Sequence, residues 1–199
     1  MATNRWMAGD VPRGEQYDRR FEELEASGTD IHGEAELIDS YGPGSVLDAG
    51  CGTGRVAIEL HRRGHRVTGI DVDQRMLVAA RQKAPSLKWV EADLADPNLS
   101  DLGNFDIVVM AGNVLIFVAP DTEEAVVANM GRLLNPGGRL ITGYSLRPGG
   151  FSISLHDELA SRADLILEDR WSTWDRRPFV AQSDYAVSVH RRLPYPAMG

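Results

Sequence analysis

The sequence predicts an α/β fold in which helices cover both faces of one mostly parallel sheet, with an antiparallel hairpin at one edge. The first observation is that short apolar runs alternate with amphipathic helical runs from Ser45 to about residue 145. Such alternation is typical of parallel strands joined by crossover helices. The second observation is a pair of strand-like runs near the C-terminus with only a short link between them. A link of that length allows only antiparallel pairing, because a parallel return needs a crossover of about a dozen residues.

Composition and charge narrow the class of protein. The chain has 199 residues, of which 43% are hydrophobic and 25% charged, as in a single globular domain. Its net charge of −8 argues against nucleic acid as a partner. No apolar run approaches the roughly 20 residues of a membrane span, and the N-terminus lacks the apolar stretch of a secretory signal. We therefore expect no membrane association and a cytoplasmic location.

The chain before the first strand, residues 1–43, is predicted to be helical. Apolar residues recur at helical spacing from Gly14 to Ser27 and again from about Asp30 to Ser40, where "YGPG" ends the second helix. We expect these helices to form a lid over the ligand site of the domain that follows, residues 44–192.

The alternating part begins at Ser45. Its predicted strands are "SVLDA", "HRVTGID", "LKWVEAD", "FDIVVMA" and "RLITGY". Its predicted helices are "GRVAIELHRR", "DQRMLVAARQKA" and "DTEEAVVANMGRLL", the last of them ended by "NPGG". The last quarter adds a helix, "SLHDELASRADL", the hairpin strands "LILEDRWSTWD" and "QSDYAVSVHRR", and an irregular tail at 193–199.

Capping residues predict where three of the helices begin. Asp73 is the expected N-cap of the helix after the second strand. Asp121 with Glu124, and Ser154 with Asp157, have the spacing of capping boxes.

A glycine-rich loop follows the first predicted strand and opens the first crossover helix. Gly50, Gly52 and Gly54 allow a sharp turn and let a ligand lie directly against the backbone. Asp71 stands at the end of the second strand, about twenty residues after Gly50, where a carboxylate can accept hydrogen bonds from both ribose hydroxyls. The loop and the acid together predict a ligand that contains a nucleoside.

The charges around this loop favour a cationic ligand over a pyrophosphate. Arg55 stands where the dinucleotide fingerprint has its third glycine. Asp48, Asp71 and Asp93 end three successive predicted strands and therefore converge on one rim. Carboxylates there attract an ammonium or sulfonium group and repel a phosphate.

These segments resemble the class I S-adenosylmethionine-dependent methyltransferases. The matching pieces, in order, are "VLDAGCGTGRVAIEL", "VTGIDVDQRML", "WVEADLAD", "FDIVVMAGNVLIFV" and "LLNPGGRLI". The resemblance implies a Rossmann-like doubly wound sheet of seven strands with S-adenosylmethionine as the cofactor. It implies cofactor contacts from Tyr17, Asp48, Ala49, Gly50, Cys51, Gly52, Gly54, Asp71, Val72, Met76, Asp93, Leu94, Ala111 and Gly112.

In this resemblance the acids serve different parts of the cofactor. Asp48 serves the methionyl amino group, Asp71 holds the ribose, and Asp93 meets the adenine edge. Each assignment has a structural alternative in this sequence. Asp48 could cap the following helix and Asp93 could begin a turn, while Met76 and Tyr17 lie at positions typical of packing.

The acceptor of the methyl group is less clearly indicated. The chain is too short for a separate substrate domain, which favours a small, partly apolar metabolite methylated on O, N or C. His32 and His156 are candidate general bases, and no metal site is predicted. The alternatives are an NAD-dependent oxidoreductase of related fold and a non-catalytic S-adenosylmethionine-binding protein. Nothing in the sequence predicts the oligomeric state.

Overall fold

The computed structural model describes residues 3–194 and contains a helix layer on each face of one sheet. The helices are α1 (Arg5–Ala8), α2 (Glu15–Ala26), α3 (Gly33–Asp39), α4 (Arg55–Arg62), α5 (Gln74–Lys83), α6 (Val114–Phe117), α7 (Glu123–Arg132) and α8 (Ile153–Arg162). The strands are β1 (Ser45–Ala49), β2 (Arg66–Asp71), β3 (Lys88–Glu91), β4 (Phe105–Met110), β5 (Leu134–Ser145), β6 (Leu165–Trp171) and β7 (Tyr185–Arg192). A 3₁₀ turn occupies Leu99–Leu102.

The sheet has seven strands in the order β3-β2-β1-β4-β5-β7-β6. The first five strands along the chain pair in parallel, and β7 is antiparallel to both β5 and β6. The predicted fold class is thereby confirmed. The hairpin is inserted with β7 next to β5, so β6 forms the outer edge of the sheet.

Side-chain alternation along the central strands fills a core on each face of the sheet. Leu47 and Val108 belong to the core under α7 and α8, whereas Val46, Ile107 and Val109 belong to the core under α3, α4 and α5. All five residues are buried, as expected for parallel strands covered on both sides. This packing fixes the carboxyl ends of β1, β2 and β4, where the site lies.

The predicted helix starts were correct in one case and wrong in two. Asp73 does cap α5, because its Oδ1 accepts from the backbone N–H of Arg75 at 3.0 Å. The capping box at Asp121 is absent, because α7 starts from Thr122 and Asp121 has a left-handed backbone with φ of 64°. In α8 the cap is Ser152, whose hydroxyl accepts from the backbone N–H of Leu155 at 3.1 Å. The predicted box at Ser154 is therefore also wrong.

Other differences from the prediction concern short or irregular segments. The "NPGG" segment is part of β5 rather than a break before it, and Gly137 takes a φ of 80° where the β4–β5 register shifts. Two single-turn helices, α1 and α6, were not predicted because four residues are too few to show a helical period. Of the predicted tail, residues 195–199 lie outside the described residues. Within residues 3–194, no helix combines the length and apolarity needed to cross a membrane.

Candidate functional site

The glycine loop turns sharply at the carboxyl end of β1. Gly50, Gly52 and Gly54 all have positive φ, at 78°, 55° and 85°. The backbone N–H groups of Gly50 and Cys51 donate to the carbonyl of Ile70 at 2.8 and 3.0 Å, which joins the loop to the end of β2. Backbone hydrogen bonds within the chain therefore hold the loop in this conformation without a ligand.

The three glycines are required for different physical reasons. A Cβ on Gly50 would lie 2.5 Å from Cγ2 of Val114, and one on Gly54 would lie 2.5 Å from Cη2 of Trp89. A Cβ on Gly52 would meet only the flexible end of Met76, at 3.2 Å, and the ring of Tyr17, at 4.0 Å. Packing against side chains thus explains Gly50 and Gly54, whereas Gly52 presents bare backbone to open space.

That open space is a cavity of about 850 Å³, including its open mouth, at the carboxyl ends of the central strands. Every predicted cofactor residue lines it except Ala49 and Gly54. Ala49 is fully buried within β1, and Gly54 lies beneath the Trp89 ring at the start of α4. The remaining wall residues are Asn4, Trp6, Thr53, Arg55, Val56, Val114, Phe117 and Val118.

Asp48 places a carboxyl group at the base of the cavity. Its side chain is 2% exposed, and Oδ2 accepts from the backbone N–H of Ala57 at 3.0 Å. Ala57 lies in the first turn of α4, so Asp48 also has the predicted alternative role of capping that helix. Burial raises the pKa of Asp48 to about 7, and the neighbouring Arg55 only partly opposes that effect. A buried carboxylate in this setting is stabilised by a cation placed in the cavity.

Asp71 and Asp93 occupy the rim at the ends of β2 and β3. Asp71 accepts from the backbone N–H of Gly52 and of Asp73, each at 2.8 Å, one on each carboxylate oxygen. Each oxygen retains a further lone pair for a ligand hydroxyl. Asp93 accepts from the backbone N–H of Ala95 at 2.9 Å and also lines the cavity. Asp93 can therefore both begin the turn, which is its structural alternative, and contact a ligand in the cavity.

An aromatic group from the N-terminal segment and α6 forms one wall of the cavity. The Trp6 ring meets Tyr17 at 6.1 Å and Phe117 at 5.6 Å between centroids, both edge to face. Trp6 is held by a hydrogen bond from its Nε1 to Asp73 at 3.2 Å. Burial raises the pKa of the Tyr17 hydroxyl, which keeps it neutral near pH 7.

Arg55 connects the N-terminal helices to the loop. Its guanidinium pairs with Glu34 of α3 at 2.5 Å, donates to the carbonyl of Ile31 and stacks 4.5 Å from the Phe21 ring centroid. Arg55 also lines the cavity beside Asp48. The residue at the position of the third fingerprint glycine thus attaches α2 and α3 to the start of α4.

Two further predicted residues have environments that limit their chemistry. Cys51 is 8% exposed, and burial together with Asp48 and Asp71 raises its pKa well above the ordinary value. It therefore remains a thiol, which argues against a nucleophilic role. The Met76 sulfur accepts from the backbone N–H of Gly14 at 3.2 Å, so Met76 contacts both the N-terminal segment and the cavity.

Neither candidate base lines the cavity formed by residues 3–194. His156 is fully buried on α8 and its ring packs edge to face against those of Tyr144 and His190. Burial lowers its pKa to about 3. His32 precedes α3, where its backbone N–H donates to Asp30 at 2.8 Å. Turning α8 onto the sheet directs His156 into the core, which the sequence position alone did not reveal.

Sequence reasoning missed the contribution of α1 and α6 to the cavity. Trp6, Phe117 and Val118 belong to segments too short for a periodic signal, and Asn4 lies just before α1. The signal for Trp6 in the sequence was that it is the first aromatic residue of the chain and stands well before the predicted helices.

The residues present fit a sulfonium nucleoside with an amino group. Asp48 offers a buried carboxyl group that a neighbouring cation would keep ionised, and Asp71 offers free lone pairs at hydrogen-bonding positions. Gly112 has a φ of 71° and open space where its Cβ would stand, so backbone borders the cavity at the end of β4 as well. A pyrophosphate would instead lie against the Asp48 carboxylate.

Comparison with known proteins agrees with this geometry. A model of the methyltransferase domain family matches residues 46–138. A solved structure described as a TehB-like S-adenosylmethionine-dependent methyltransferase from Corynebacterium glutamicum is 39% identical, with a TM-score of 0.83, and the match covers 90% of this chain and 97% of that one.

Curated relatives match over shorter segments. Magnesium-protoporphyrin O-methyltransferase of Rhodobacter capsulatus is 35% identical over 92 residues, which is 44% of this chain and 39% of the relative. An uncharacterized methyltransferase of Mycobacterium tuberculosis is 38% identical over 116 residues, 55% of this chain and 56% of the relative. The chain thus spans roughly half the length of these curated relatives or less. Because the Corynebacterium structure is matched over nearly its whole length, the chain belongs to the class I S-adenosylmethionine-dependent methyltransferase family.

Proposed function

We propose that this protein transfers the methyl group of S-adenosylmethionine to an O, N or C atom of a small, partly apolar metabolite. The observation that carries the proposal is the buried Asp48 carboxyl, which opens onto a cavity roofed by aromatic rings. A cationic cofactor compensates that charge, and the aromatic wall excludes water from the reacting atoms.

We assign the cofactor contacts by position around the cavity. The Asp48 carboxylate receives the ammonium group, and Asp71 receives the ribose hydroxyls. Val72 and Met76 flank the adenine, whose edge meets Asp93 and the Leu94 backbone. The remaining proposed contacts are Tyr17, Gly50, Cys51, Gly52, Ala111 and Gly112, with Ala111 and Gly112 next to the sulfonium. Support for all of these comes from their place in the cavity wall.

For Ala49 and Gly54, the two other predicted cofactor residues, we propose an indirect role. Both are absent from the cavity wall. Their role in the proposal is to shape the loop from below.

The cofactor supplies a methyl group that is already activated by its positive sulfur. The chain's own residues then have to orient the acceptor and keep water out. Trp6 and Phe117 belong to the aromatic wall and exclude water from the reacting atoms. Their apolar rings also suit a partly apolar acceptor. The magnesium-protoporphyrin relative, by name an O-methyltransferase, supports a small-molecule acceptor.

The described cavity wall offers no histidine or lysine side chain as a general base. Tyr17 is held neutral by burial, and Arg55 is already paired with Glu34. We therefore propose an acceptor that loses its proton readily or attacks through a free lone pair, so that positioning supplies most of the catalysis.

The test is a panel of small metabolites incubated with S-adenosylmethionine, with S-adenosylhomocysteine release as the readout. One or more acceptors should give turnover, and Asp71→Asn should weaken cofactor binding at least tenfold while exposed Asp101→Asn leaves it unchanged. Binding of S-adenosylmethionine with no product on any acceptor would favour the non-catalytic binding protein. Preferential binding of NAD would favour the oxidoreductase.

A further inference from the structure

The core-facing side of α7 carries a buried amide, Asn129, among apolar side chains. Val126, Val127 and Met130 of the same helix are fully buried, and Asn129 itself is only 3% exposed. An amide in such a place costs free energy unless its donor and acceptor atoms are hydrogen-bonded. The partners of Asn129 therefore show why an asparagine is present at this position.

Both ends of the Asn129 amide are hydrogen-bonded. Nδ2 donates to the backbone carbonyl of Leu94 at 2.8 Å and to that of Asp96 at 2.9 Å. Oδ1 accepts from the guanidinium of Arg132. Only this orientation gives the two carbonyls a donor and the guanidinium an acceptor, so the amide cannot be turned over without losing all three bonds. A side chain of α7 thus holds two carbonyls of the segment that follows β3.

The segment held by Asn129 borders the cofactor cavity. Asp93 and Leu94 line that cavity. Oδ1 of Asp93 accepts from the backbone N–H of Ala95 at 2.9 Å, and its carbonyl accepts from the N–H of Asp96 at 3.0 Å. Within the described residues, Oδ2 of Asp93 and the backbone N–H of Leu94 have no hydrogen-bond partner. One acceptor and one donor on adjacent residues are therefore available at the cavity wall.

This acceptor and donor match the edge of adenine and mismatch that of hypoxanthine. Adenine donates from its 6-amino group and accepts at N1, which suits a carboxylate oxygen beside a backbone N–H. Hypoxanthine carries a carbonyl oxygen and an N–H at the same two places, so both contacts are reversed. Discrimination between the two bases thus requires that Asp93 and the Leu94 N–H keep a fixed relative orientation.

We propose that Asn129 is a positioning residue that sets the selectivity of the cofactor site for adenine. Asn129 is not part of the cavity wall formed by residues 3–194, so it acts through the Leu94 and Asp96 carbonyls. The Leu94 side chain packs into the same core as α7, which leaves the Asn129 amide to fix the orientation of the peptide groups. The inference rests on the proposed function, because it takes Asp93 and Leu94 as the adenine contacts.

Replacing Asn129 by aspartate removes the donor without changing the size of the side chain. In Asn129→Asp an oxygen faces the Leu94 and Asp96 carbonyls, which repel it and lose their hydrogen bonds. The turn after β3 should then relax, and Asp93 should lose its fixed relation to the Leu94 N–H. The ribose contact of Asp71 should be kept, because Asp71 belongs to β2 and is held by Gly52 and Asp73.

The experiment compares ligands that differ at one group, using calorimetry on the full chain. The wild type should bind S-adenosylhomocysteine at least about a hundredfold more tightly than S-inosylhomocysteine. Asn129→Asp should lower this base preference at least about tenfold. The preference for S-adenosylhomocysteine over its 2′-deoxy analogue reports the Asp71 contact and should stay unchanged. A general loosening of the cavity would lower both preferences together.

Asn135→Asp is the matched control. Nδ2 of Asn135 also donates to an oxygen, Oδ1 of Asp106 at 2.8 Å, but at the opposite end of the sheet from the cavity. This variant should lower the Tm and leave the base preference as in the wild type. If circular dichroism shows that Asn129→Asp does not fold, Asn129→Ser replaces it. A serine hydroxyl donates one hydrogen and keeps at most one of the two carbonyl bonds, so the base preference should still fall.

Hydrogen exchange gives a second readout at the turn itself. Exchange at residues 93–98 should accelerate in the Asn129 variant and not in Asn135→Asp. An unchanged base preference in a folded Asn129 variant would overturn the inference and leave the proposed function intact. A wild type that binds neither S-adenosylhomocysteine nor S-adenosylmethionine would overturn the proposed function and this assignment with it.

Discussion

Asp48 combines deep burial with an acidic side chain, and these two properties oppose each other. The carboxyl is 2% exposed and its pKa is raised to about 7, chiefly by burial. In a purely structural position an apolar or amide side chain would avoid this cost. The position makes physical sense if a cation binds beside it and recovers the energy.

The Asp48 pKa predicts a pH dependence whose sign can be stated. Between about pH 4 and pH 7 the folded chain holds a proton on Asp48 that the unfolded chain has released. The free energy of unfolding should therefore fall as pH rises through this window, by up to about 1.4 kcal/mol per pH unit from this group. Affinity for S-adenosylmethionine should rise over the same window, because the ammonium group favours ionised Asp48.

Urea unfolding and calorimetry at several pH values measure both effects. Asp48→Asn should reduce the downward slope of stability and weaken cofactor binding above pH 7, whereas Asp101→Asn should change neither. An Asp48→Asn variant that binds the cofactor as tightly as the wild type would contradict the assignment.

Gly52 and Gly54 form a matched pair for testing what the loop glycines do. Both have positive φ, so alanine is strained at either position. Gly54→Ala adds a clash with the Trp89 ring, at 2.5 Å, and should destabilise the fold by about 2–4 kcal/mol. Gly52→Ala meets only the mobile end of Met76, at 3.2 Å, so it should cost less stability but more cofactor affinity. Thermal unfolding of both variants measures the loss of stability, which should be larger for Gly54→Ala. Calorimetry measures the loss of cofactor affinity, which should be larger for Gly52→Ala.

The three N-terminal helices are attached to the domain in different ways. Helix α3 buries Ala35, Leu37 and Ile38 in the core, whereas α1 and α2 bury no residue. Arg13 donates to Asp73 at 2.6 Å and to the carbonyls of Trp6 and Gly9 at 2.8 and 3.1 Å. Asp73 also caps α5, so one buried carboxylate holds both the start of α5 and the N-terminal segment that contains Arg13. Arg5 adds an ion pair with Glu123 at 2.9 Å. No residue of α1 is buried, which is the pattern of an element that opens at low energetic cost.

Removing the Arg13 contact should open the lid without unfolding the domain. Arg13→Ala should weaken S-adenosylmethionine binding about tenfold, mainly through faster dissociation, because Trp6 and Tyr17 are no longer held over the cavity. Stopped-flow dissociation kinetics measure the rate, and hydrogen exchange should accelerate at residues 4–14. Exposed Arg19→Ala on α2 is the control. Equal dissociation rates in the two variants would show that the lid does not retain the cofactor.

The sequence predicted the parts of the molecule whose signals are local. Strand ends, the glycine loop and the three acids were readable because apolar runs and turn residues are adjacent along the chain. The wrong caps at Asp121 and Ser154 have a different origin, since the choice among nearby polar residues depends on backbone angles that tertiary packing sets.

Contacts between distant segments were beyond the reach of sequence patterns. Trp6 reaches the cavity through Asp73 and Phe117, which are far from it in sequence. His156 was expected near the acceptor, but its place depends on the β5–β7 pairing that brings His190 to the same core. The hydrophobic periodicity within each segment does not show which distant segment it pairs with.

Cofactor binding should stabilise the whole chain, because the cavity joins the lid to the ends of β1, β2 and β4. At a cofactor concentration one hundred times the Kd, the added free energy of unfolding is about 2.7 kcal/mol. For a domain of this size that corresponds to a rise in Tm of about 5–10 °C. S-adenosylhomocysteine lacks the sulfonium charge but keeps the amino group and ribose, so it should also raise the Tm. NAD should not, because its pyrophosphate would meet Asp48, and a rise with NAD alone would reverse the identification of the cavity.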